Sequence, residues 1–182
     1  KDYIPLAGKR TINDRIQVAG RDLEFEISGS AFYQVNTNQM TRLYEKAREY
    51  AGLSGEEVVF DLYCGIGTIT LCLAKRAGRV IGAEIVPAAI RDAKENAARN
   101  GLSVEYEVAN VFYLLPNLTP GEFDYIILDP PAFTKSGKTV KNAERGYKEI
   151  NYRAMKLLPR GGYLATASCS HFALSLIHIS EP

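Results

Sequence analysis

The sequence predicts an α/β fold in which a mostly parallel sheet carries helices on both faces, preceded by a small β-hairpin. Two observations carry this prediction. Apolar, strand-like runs alternate with amphipathic helical segments along most of the chain, and alternation of this length favours right-handed βαβ units and a parallel sheet. Acidic or polar residues also follow the ends of successive apolar runs. Open α/β sheets bind their ligands at the carboxyl ends of the strands, so the functional residues are expected there.

The amino-terminal part of the chain predicts a hairpin followed by a helix. Residues 15–18 and 23–27 alternate apolar and polar side chains around a turn, which indicates a structural flap outside the main sheet. A helix is expected from an N-cap at Thr37 or Asn38 to a stop at Gly52. Between the two, the apolar side chains of residues 32, 33 and 35 are expected to be buried, while the amide of Gln34 is a candidate ligand-binding group.

The rest of the chain predicts the main sheet and its helices. Five strands are expected at residues 58–60, 80–83, 104–109, 125–128 and 163–168. Helices are expected at 68–77, from Pro87 to the Asn100-Gly101 pair, and through Tyr147 and Leu157 to a stop at Pro159. Residues 116–122 are expected to form a loop.

Composition narrows the class of protein. The 182 residues suffice for one domain that buries about 70% of its unfolded surface. A net charge of +1 gives no general attraction to nucleic acid. The three cysteines form no C-x-x-C pair, so neither a disulfide framework nor a metal site is predicted, and a reducing, cytoplasmic environment fits best. No apolar run approaches the length of a membrane span, so no membrane partner is expected.

A glycine-rich turn between the first two main strands predicts a nucleotide site. The run 58–60 ends at Asp61 and meets a turn containing Gly65 and Gly67, after which a helix begins. Glycine is needed where the backbone must approach a ligand or adopt positive φ. The next strand ends at Glu84, 23 positions after Asp61, which matches the offset of a ribose-binding carboxylate.

The spacing within this turn argues against a dinucleotide. The fingerprint G-x-G-x-x-G requires a third glycine where this chain has Thr70. A pattern D-x-x-x-G-x-G followed by an acid at the next strand end resembles instead the S-adenosylmethionine (SAM) site of class I methyltransferases, whose Rossmann-like fold agrees with the predicted sheet.

Longer stretches resemble two related enzyme families. Residues 14–108, with FYQVN, DLYCGIGTITL and GAEIVPAAIRDAKENAARNG, are similar to the bacterial uracil-5 methyltransferases of 23S rRNA and tRNA. Residues 110–172, with ILDPPAFTKSG, ERGYKEINYRAMKLLPRGGYL and ASCSHF, are similar to the 23S rRNA cytosine-5 methyltransferases. Both resemblances imply SAM as cofactor, RNA, above all 23S rRNA, as substrate, and methyl transfer to C5 of a pyrimidine. Because the longer stretch resembles the uracil family, uracil is favoured over cytosine.

The resemblance also implies roles for individual residues. Cys169 matches the nucleophile of both families, and Asp129 opens DPPAF, where an acid of the cytosine family hydrogen-bonds the ring edge. Asp61, Gly65, Gly67 and Glu84 would form the SAM site together with four further residues. These four are Gln34, Tyr63, Asn110 and Asp129. Asn110 stands where an aspartate usually meets the adenine amino group.

Several interpretations stay open on sequence alone. Asp129 is either a site residue or a helix cap, and Phe133 either stacks on a flipped-out base or belongs to the core. The segment 135–153, with six basic and two acidic residues, either meets phosphates or forms a solvated helix face. The alternative functions are an amino-group or guanine RNA methyltransferase that uses DPPAF and a non-catalytic SAM-binding fragment.

The predicted domain boundaries follow from these resemblances. Residues 1–35 are expected to form the hairpin segment and 36–173 the SAM-binding domain. Residues 174–182 resemble the translation of a transposon end used in sequencing libraries, so they are expected to be an artefactual tail. The closing strands of the natural sheet would then be missing.

Overall fold

The computed structural model describes residues 7–29, 31–34, 36–133 and 140–169. The strands of this part of the chain are β1 (Thr11–Val18), β2 (Arg21–Ser28), β3 (Val58–Leu62), β4 (Arg79–Glu84), β5 (Glu105–Val108), β6 (Tyr125–Leu128) and β7 (Tyr163–Thr166). Its α-helices are α1 (Thr37–Ala51), α2 (Thr68–Leu73), α3 (Pro87–Arg99), α4 (Val111–Leu114) and α5 (Val140–Leu157), and a 3-10 turn, Leu115–Asn117, follows α4.

The main sheet has five parallel strands in the order β5-β4-β3-β6-β7. From β3 the chain builds outward to β4 and β5, and it then crosses to the other side of β3 to form β6 and β7. This reversal of direction opens a crevice at the carboxyl ends of β3 and β6, which is where open α/β sheets place their ligands. The predicted class I methyltransferase architecture, including the separate hairpin, is confirmed.

Alternate residues of the central strands face two different helix layers, as the two-residue period of a strand requires. Val59 and Ile127 pack with Leu73 of α2 on one face. Phe60 and Leu128 pack on the other face, together with residues of α4 and α5. Helices therefore cover both faces, with α1, α2 and α3 on the first and α4 and α5 on the second.

The hairpin of β1 and β2 is packed onto the first helix layer. Its inward-facing apolar side chains share a buried cluster with α1 and α2; they are Ile16, Val18, Leu23, Phe25 and Ile27. Phe25 is fully buried. Burial of this kind supports the interpretation of the hairpin as a structural cover.

Polar side chains of α3 bond directly to the edge of β2. Three of them, each one helical turn apart, face alternate residues of the strand: Asp92 accepts from Ser28 Oγ at 2.6 Å, Asn96 bonds Glu26, and Asn100 bonds Glu24. Four helical residues rise about 6.0 Å and two strand residues about 6.6 Å, so the two repeats stay in register. The helix thereby satisfies backbone groups of an otherwise open strand edge.

Two expectations about the segment before α1 are wrong. The N-cap of α1 is Asn36, whose side chain accepts from Gln39 N–H at 3.2 Å, so the helix begins at Thr37. Phe32 is 77% exposed, although its apolar character predicted burial. The hairpin and α1 already fill the space between them with Tyr33 and Met40. Residue 35 lies outside the described residues.

Other element boundaries also differ from the sequence prediction. Helix α2 ends at Leu73, four residues early, and the turn after it returns Gly78 N–H to the carbonyl of Glu57 at 2.9 Å. The six residues of α2 rise only about 9 Å along the five-residue β3, so the turn residues after Leu73 complete the return to the start of the strand. Strands β5 and β7 are also shorter than predicted, and α4 begins before the expected loop.

Within the described ranges, every helix is too short or too polar to cross a lipid bilayer.

Candidate active site

The turn between β3 and α2 requires glycine for steric reasons. Gly65 and Gly67 have φ of +55° and +85°. A Cβ at Gly67 would lie 2.4 Å from Tyr106 Oη and 3.3 Å from Ala93 Cβ, whereas nothing approaches a Cβ at Gly65 within 4 Å. Gly67 is therefore held by packing as well as by backbone conformation.

Asp61 lies beneath this turn and is completely buried. Its Oδ2 accepts a hydrogen bond from Thr70 Oγ1 at 2.6 Å, and its Oδ1 has no partner among the described residues. Burial raises the pKa of Asp61 to about 7; the Thr70 hydrogen bond opposes that rise, and the negative charge of Asp129 adds to it. A buried acceptor without a donor is uncommon and indicates a missing partner.

Glu84 is the last residue of β4 and is half-buried. Its Oε1 accepts from Val86 N–H at 3.0 Å, and no described residue bonds Oε2. The next two side chains are apolar and exposed, Ile85 by 54% and Val86 by 47%. A carboxylate beside an apolar surface is thus presented at the carboxyl edge of the sheet.

Of the other predicted cofactor contacts, Tyr63 directly follows β3 and Asn110 lies two residues after β5. Tyr63 has a positive φ of 73°, and its hydroxyl is buried with no hydrogen-bond partner among the described residues. Burial, with a contribution from Glu84, raises the pKa of Tyr63 to about 12, so the hydroxyl keeps its proton. Gln34 is half-buried between the hairpin and α1. Asn110 is the N-cap of α4, and its side chain accepts from Phe112 N–H at 3.0 Å.

The two predicted catalytic residues follow the neighbouring strands β6 and β7. Asp129 directly follows β6 and is half-buried, and burial raises its pKa. Cys169 lies three residues after β7 and is exposed. Its Sγ is 3.6 Å from the carbonyl oxygen of Pro130, the residue after Asp129. By contrast, Cys64 and Cys72 are buried, and burial raises the pKa of Cys72 to about 12.

Phe133 packs into an aromatic group instead of projecting from the surface. Its ring centroid lies 4.5 Å from that of Tyr147 and 5.8 Å from that of Phe112. A Cβ at Gly146 would lie 3.1 Å from Phe133 Cδ2, so the glycine within α5 makes room for this ring. These contacts favour the core interpretation of Phe133 over base stacking.

Some predicted features lie outside the described residues. These are residues 134–139 of the basic segment, residues 170–172 of the ASCSHF motif, and the tail 174–182. Within the described segments, no three His, Cys, Asp or Glu side chains are grouped as metal ligands would be.

The structure brings Glu84 and Asp129 within electrostatic range of Asp61. The sequence did not lead us to Thr70 as the hydrogen-bond partner of Asp61. Thr70 was noted only because a dinucleotide fingerprint would have a glycine at its position. The position of Thr70 in the first turn of α2, directly after the glycine loop, could have identified it, because a hydroxyl there can reach back to β3.

A family model described as a methyltransferase domain matches residues 53–181. The chain belongs to this methyltransferase family. The match begins just before β3 and includes every strand of the main sheet, so the glycine loop and Glu84 lie within the methyltransferase domain.

Curated relatives of the methyltransferase domain are named as RNA methyltransferases. One from Enterococcus faecalis, an uncharacterized RNA methyltransferase, is 39% identical over 177 residues, covering 90% of this chain and 38% of the relative. Another, YljE of Lactococcus lactis, is 46% identical over 134 residues, covering 72% of this chain and 28% of the relative. The chain therefore spans well under half the length of these relatives.

Solved structures show the same fold. The tRNA (uracil-54, C5)-methyltransferase of Pyrococcus abyssi, in complex with S-adenosyl-L-homocysteine, is 30% identical with a TM-score of 0.58, covering 84% of this chain and 38% of that one. TrmN from Thermus thermophilus has a TM-score of 0.62 at 23% identity, covering 77% of this chain and 40% of that one. The second likeness concerns the fold alone.

Proposed function

We propose that this domain binds SAM and transfers its methyl group to C5 of a pyrimidine in RNA through a covalent bond to Cys169. The observation that carries the proposal is the position of the thiol. Cys169 is exposed at the carboxyl edge of the sheet, and its Sγ lies 3.6 Å from the carbonyl oxygen of Pro130, the residue after Asp129. Uracil is favoured over cytosine, in agreement with the uracil-54 specificity named for the Pyrococcus abyssi relative.

The residues at this edge fit SAM. Glu84 offers a carboxylate oxygen for ribose hydroxyls, and the exposed Ile85 offers an apolar surface for adenine. Asp61 contributes a buried acceptor atom without a donor. Three neighbouring carboxyl groups favour a cationic ligand, and SAM carries both a sulfonium and an ammonium group. Asn110 would contact adenine through its side-chain amide. The oxygen of that amide already accepts a hydrogen bond at the N-terminus of α4.

The chemistry needs a nucleophile because C5 of a pyrimidine reacts poorly with electrophiles. Bound SAM supplies an electrophilic methyl group. Addition of the Cys169 thiolate to C6 would form a C–S bond and make C5 nucleophilic, so that C5 could accept the methyl group as the S–CH3 bond of SAM breaks and S-adenosylhomocysteine leaves. A base then removes the C5 proton, and elimination breaks the C–S bond and restores the thiolate. Burial keeps Asp129 protonated to a higher pH than usual, which suits it to donate a hydrogen bond to the ring edge.

The covalent step can be tested without complete turnover. RNA transcripts of 23S rRNA that contain 5-fluorouridine have no C5 proton to remove, so the adduct to the thiol should accumulate. We expect mass spectrometry to detect a SAM-dependent protein–RNA adduct at Cys169. A parallel transcript with 5-fluorocytidine distinguishes uracil from cytosine as the target.

Cys169→Ala provides the matched variant. It should abolish the adduct and lower methyl transfer by roughly a thousandfold or more, as expected when a nucleophile is removed. It should still bind SAM, as measured by calorimetry, because the thiol is not part of the SAM site. Cys72→Ala, at a buried cysteine, should retain the adduct. Unchanged transfer by Cys169→Ala would exclude the covalent mechanism.

A second candidate, an amino-group or guanine RNA methyltransferase, is favoured by one observation. Asp129 and Pro130 follow directly after β6, next to the glycine loop, where a group that positions an amine would stand. That reaction needs no thiol. Methyl transfer without an adduct, equal in wild type and Cys169→Ala, would support it, whereas SAM binding without transfer to any RNA would support a non-catalytic fragment. 23S rRNA as substrate and a cytoplasmic location remain predictions of the sequence.

A further inference from the structure

A cleft lined by four basic side chains lies between the hairpin turn and the ends of α1 and α2. Arg21 comes from the hairpin, Arg48 from the last turn of α1, and Lys75 and Arg76 from the segment after α2. The cleft has a volume of about 80 Å³, and its apolar wall includes Leu71.

The four cations have no acidic partners. Within the described part of the chain, no carboxylate oxygen lies within 4.0 Å of any of them. Two acids lie nearby. Glu49, which is within electrostatic range of Arg48, is paired with Lys46 Nζ at 2.6 Å, and Glu45 accepts from the backbone N–H of Ala19 at 3.3 Å. Like charges around one cleft repel one another, so their assembly without direct ion-pair partners favours the binding of an anion.

Arg48 supplies a second observation that indicates a ligand. Its Nε is buried and has no hydrogen-bond acceptor among the described residues. Leaving a buried donor unsatisfied costs about 1–3 kcal/mol, and more for a charged group. An anion in the cleft would supply the missing acceptor, and a guanidinium binds phosphate oxygens especially well.

The cleft lies at the opposite edge of the sheet from the candidate active site. Helix α2 starts at the glycine loop and runs back along β3, and the segment after it returns to Glu57, just before β3 begins. The five residues of β3 separate the two edges by about 16 Å. An anion bound here would therefore not be the cofactor or the reacting nucleotide.

We propose that this cleft binds a backbone phosphate of the RNA substrate, several nucleotides away from the methylated base. This proposal rests on the proposed RNA methyltransferase function. A cleft of this size admits a phosphate group, and a net charge of +1 makes a local cluster necessary for holding a polyanion. The hairpin thereby gains a role beyond covering the core, because it supplies Arg21 to the substrate.

The experiment compares two variants of equal net charge. One carries Arg21→Gln, Lys75→Gln and Arg76→Gln; the other carries Lys94→Gln, Lys156→Gln and Arg160→Gln, at exposed positions elsewhere. Anisotropy of a labelled single-stranded RNA is measured over a series of KCl concentrations. Each phosphate contact contributes about 0.7 to the slope of log K against log salt, so the cleft variant should lose about 1 to 2 from the slope, with affinity falling about tenfold or more.

Each outcome decides the proposal. Equal affinities and slopes for the two variants would overturn it, as would a failure of wild type to bind RNA. Stabilisation of wild type by inorganic phosphate, combined with equal RNA binding by the variants, would assign the cleft to a free anion and overturn the RNA proposal. SAM binding is measured separately by calorimetry. A cleft-dependent RNA affinity in a chain that binds no SAM would support this inference while the proposed function fails.

Discussion

At the scale of single residues, Asp61 is the most perturbed carboxyl group that the candidate site contains. It is fully buried, and one hydroxyl, from Thr70, bonds it. Such a carboxyl is expensive to ionise, which is why its pKa rises to about 7. A cationic ligand nearby would favour the ionised form of Asp61. Binding of the cationic SAM should therefore release a proton from this carboxyl group.

The raised pKa of Asp61 predicts how stability depends on pH. In the unfolded chain the pKa of this carboxyl is near its ordinary value of 3.8, and in the fold it is about 7. The contribution of protonated Asp61 to the free energy of unfolding is fully present below about pH 4. It is lost as the pH rises through 7, because the folded state retains a proton that the unfolded state releases. We expect the free energy of unfolding to fall by about 2 to 4 kcal/mol over this range, as measured by urea denaturation.

Two variants test the contribution of Asp61; both retain Asp129, whose pKa is also raised by burial. Asp61→Asn should flatten the decline between pH 4 and 7 because the amide does not titrate. Asp22→Asn, at an exposed carboxylate of the hairpin, should leave it unchanged. Parallel pH curves for Asp61→Asn and wild type would contradict this account.

At the scale of elements, the contact between α3 and β2 depends on one buried amide. Asn96 is fully buried; its Oδ1 accepts from Glu26 N–H at 2.8 Å, and its Nδ2 donates to the carbonyls of Glu26 and Ile66 at 3.2 and 3.4 Å. Ile66 belongs to the glycine loop. This side chain therefore ties the hairpin, α3 and the candidate SAM site together.

Asn96→Ala should destabilise the fold because it leaves buried backbone groups of Glu26 and Ile66 without partners. The expected loss is about 2–3 kcal/mol, measured by thermal or urea denaturation. Asn100→Ala is the matched control. It removes the equivalent bonds to Glu24, whose backbone lies in an exposed setting and can bond water instead. Its loss should be about 1 kcal/mol or less, so equal losses for the two variants would refute the special role of Asn96.

At the scale of the whole molecule, a ligand that binds only the folded state should raise stability by mass action. At a SAM concentration 100 times its dissociation constant, the gain is about 2.7 kcal/mol. For a chain of this size that corresponds to a rise in Tm of roughly 5–10 °C. This prediction rests on the proposed function, and differential scanning fluorimetry measures it.

The charge at the end of β4 should account for part of this stabilisation. Glu84→Ala should lose most of the SAM-dependent shift because the ribose loses its carboxylate partner, while the Tm without SAM changes little at this half-buried position. Glu95→Ala, at an exposed carboxylate of α3, is the control and should keep the full shift. A full shift in Glu84→Ala would remove Glu84 from the SAM site.

The sequence by itself determined the fold class and the edge at which the candidate site residues lie. Periodicity is a local property, so the apolar runs identified each main strand, and the glycine turn identified the loop at Gly65 and Gly67 between β3 and α2. Because parallel strands end at one edge, the predicted positions of Asp61, Glu84 and Asp129 followed without coordinates.

Only the tertiary structure decided which polar groups meet across the chain. The bonds of Asn96 to Glu26 and the four cations around one cleft join residues far apart in sequence. The exposure of Phe32 and the capping role of Asn110 likewise depend on what surrounds them. Their neighbours are set by how the hairpin packs on α3 and how the chain turns at each strand end, and no local pattern of residues encodes either.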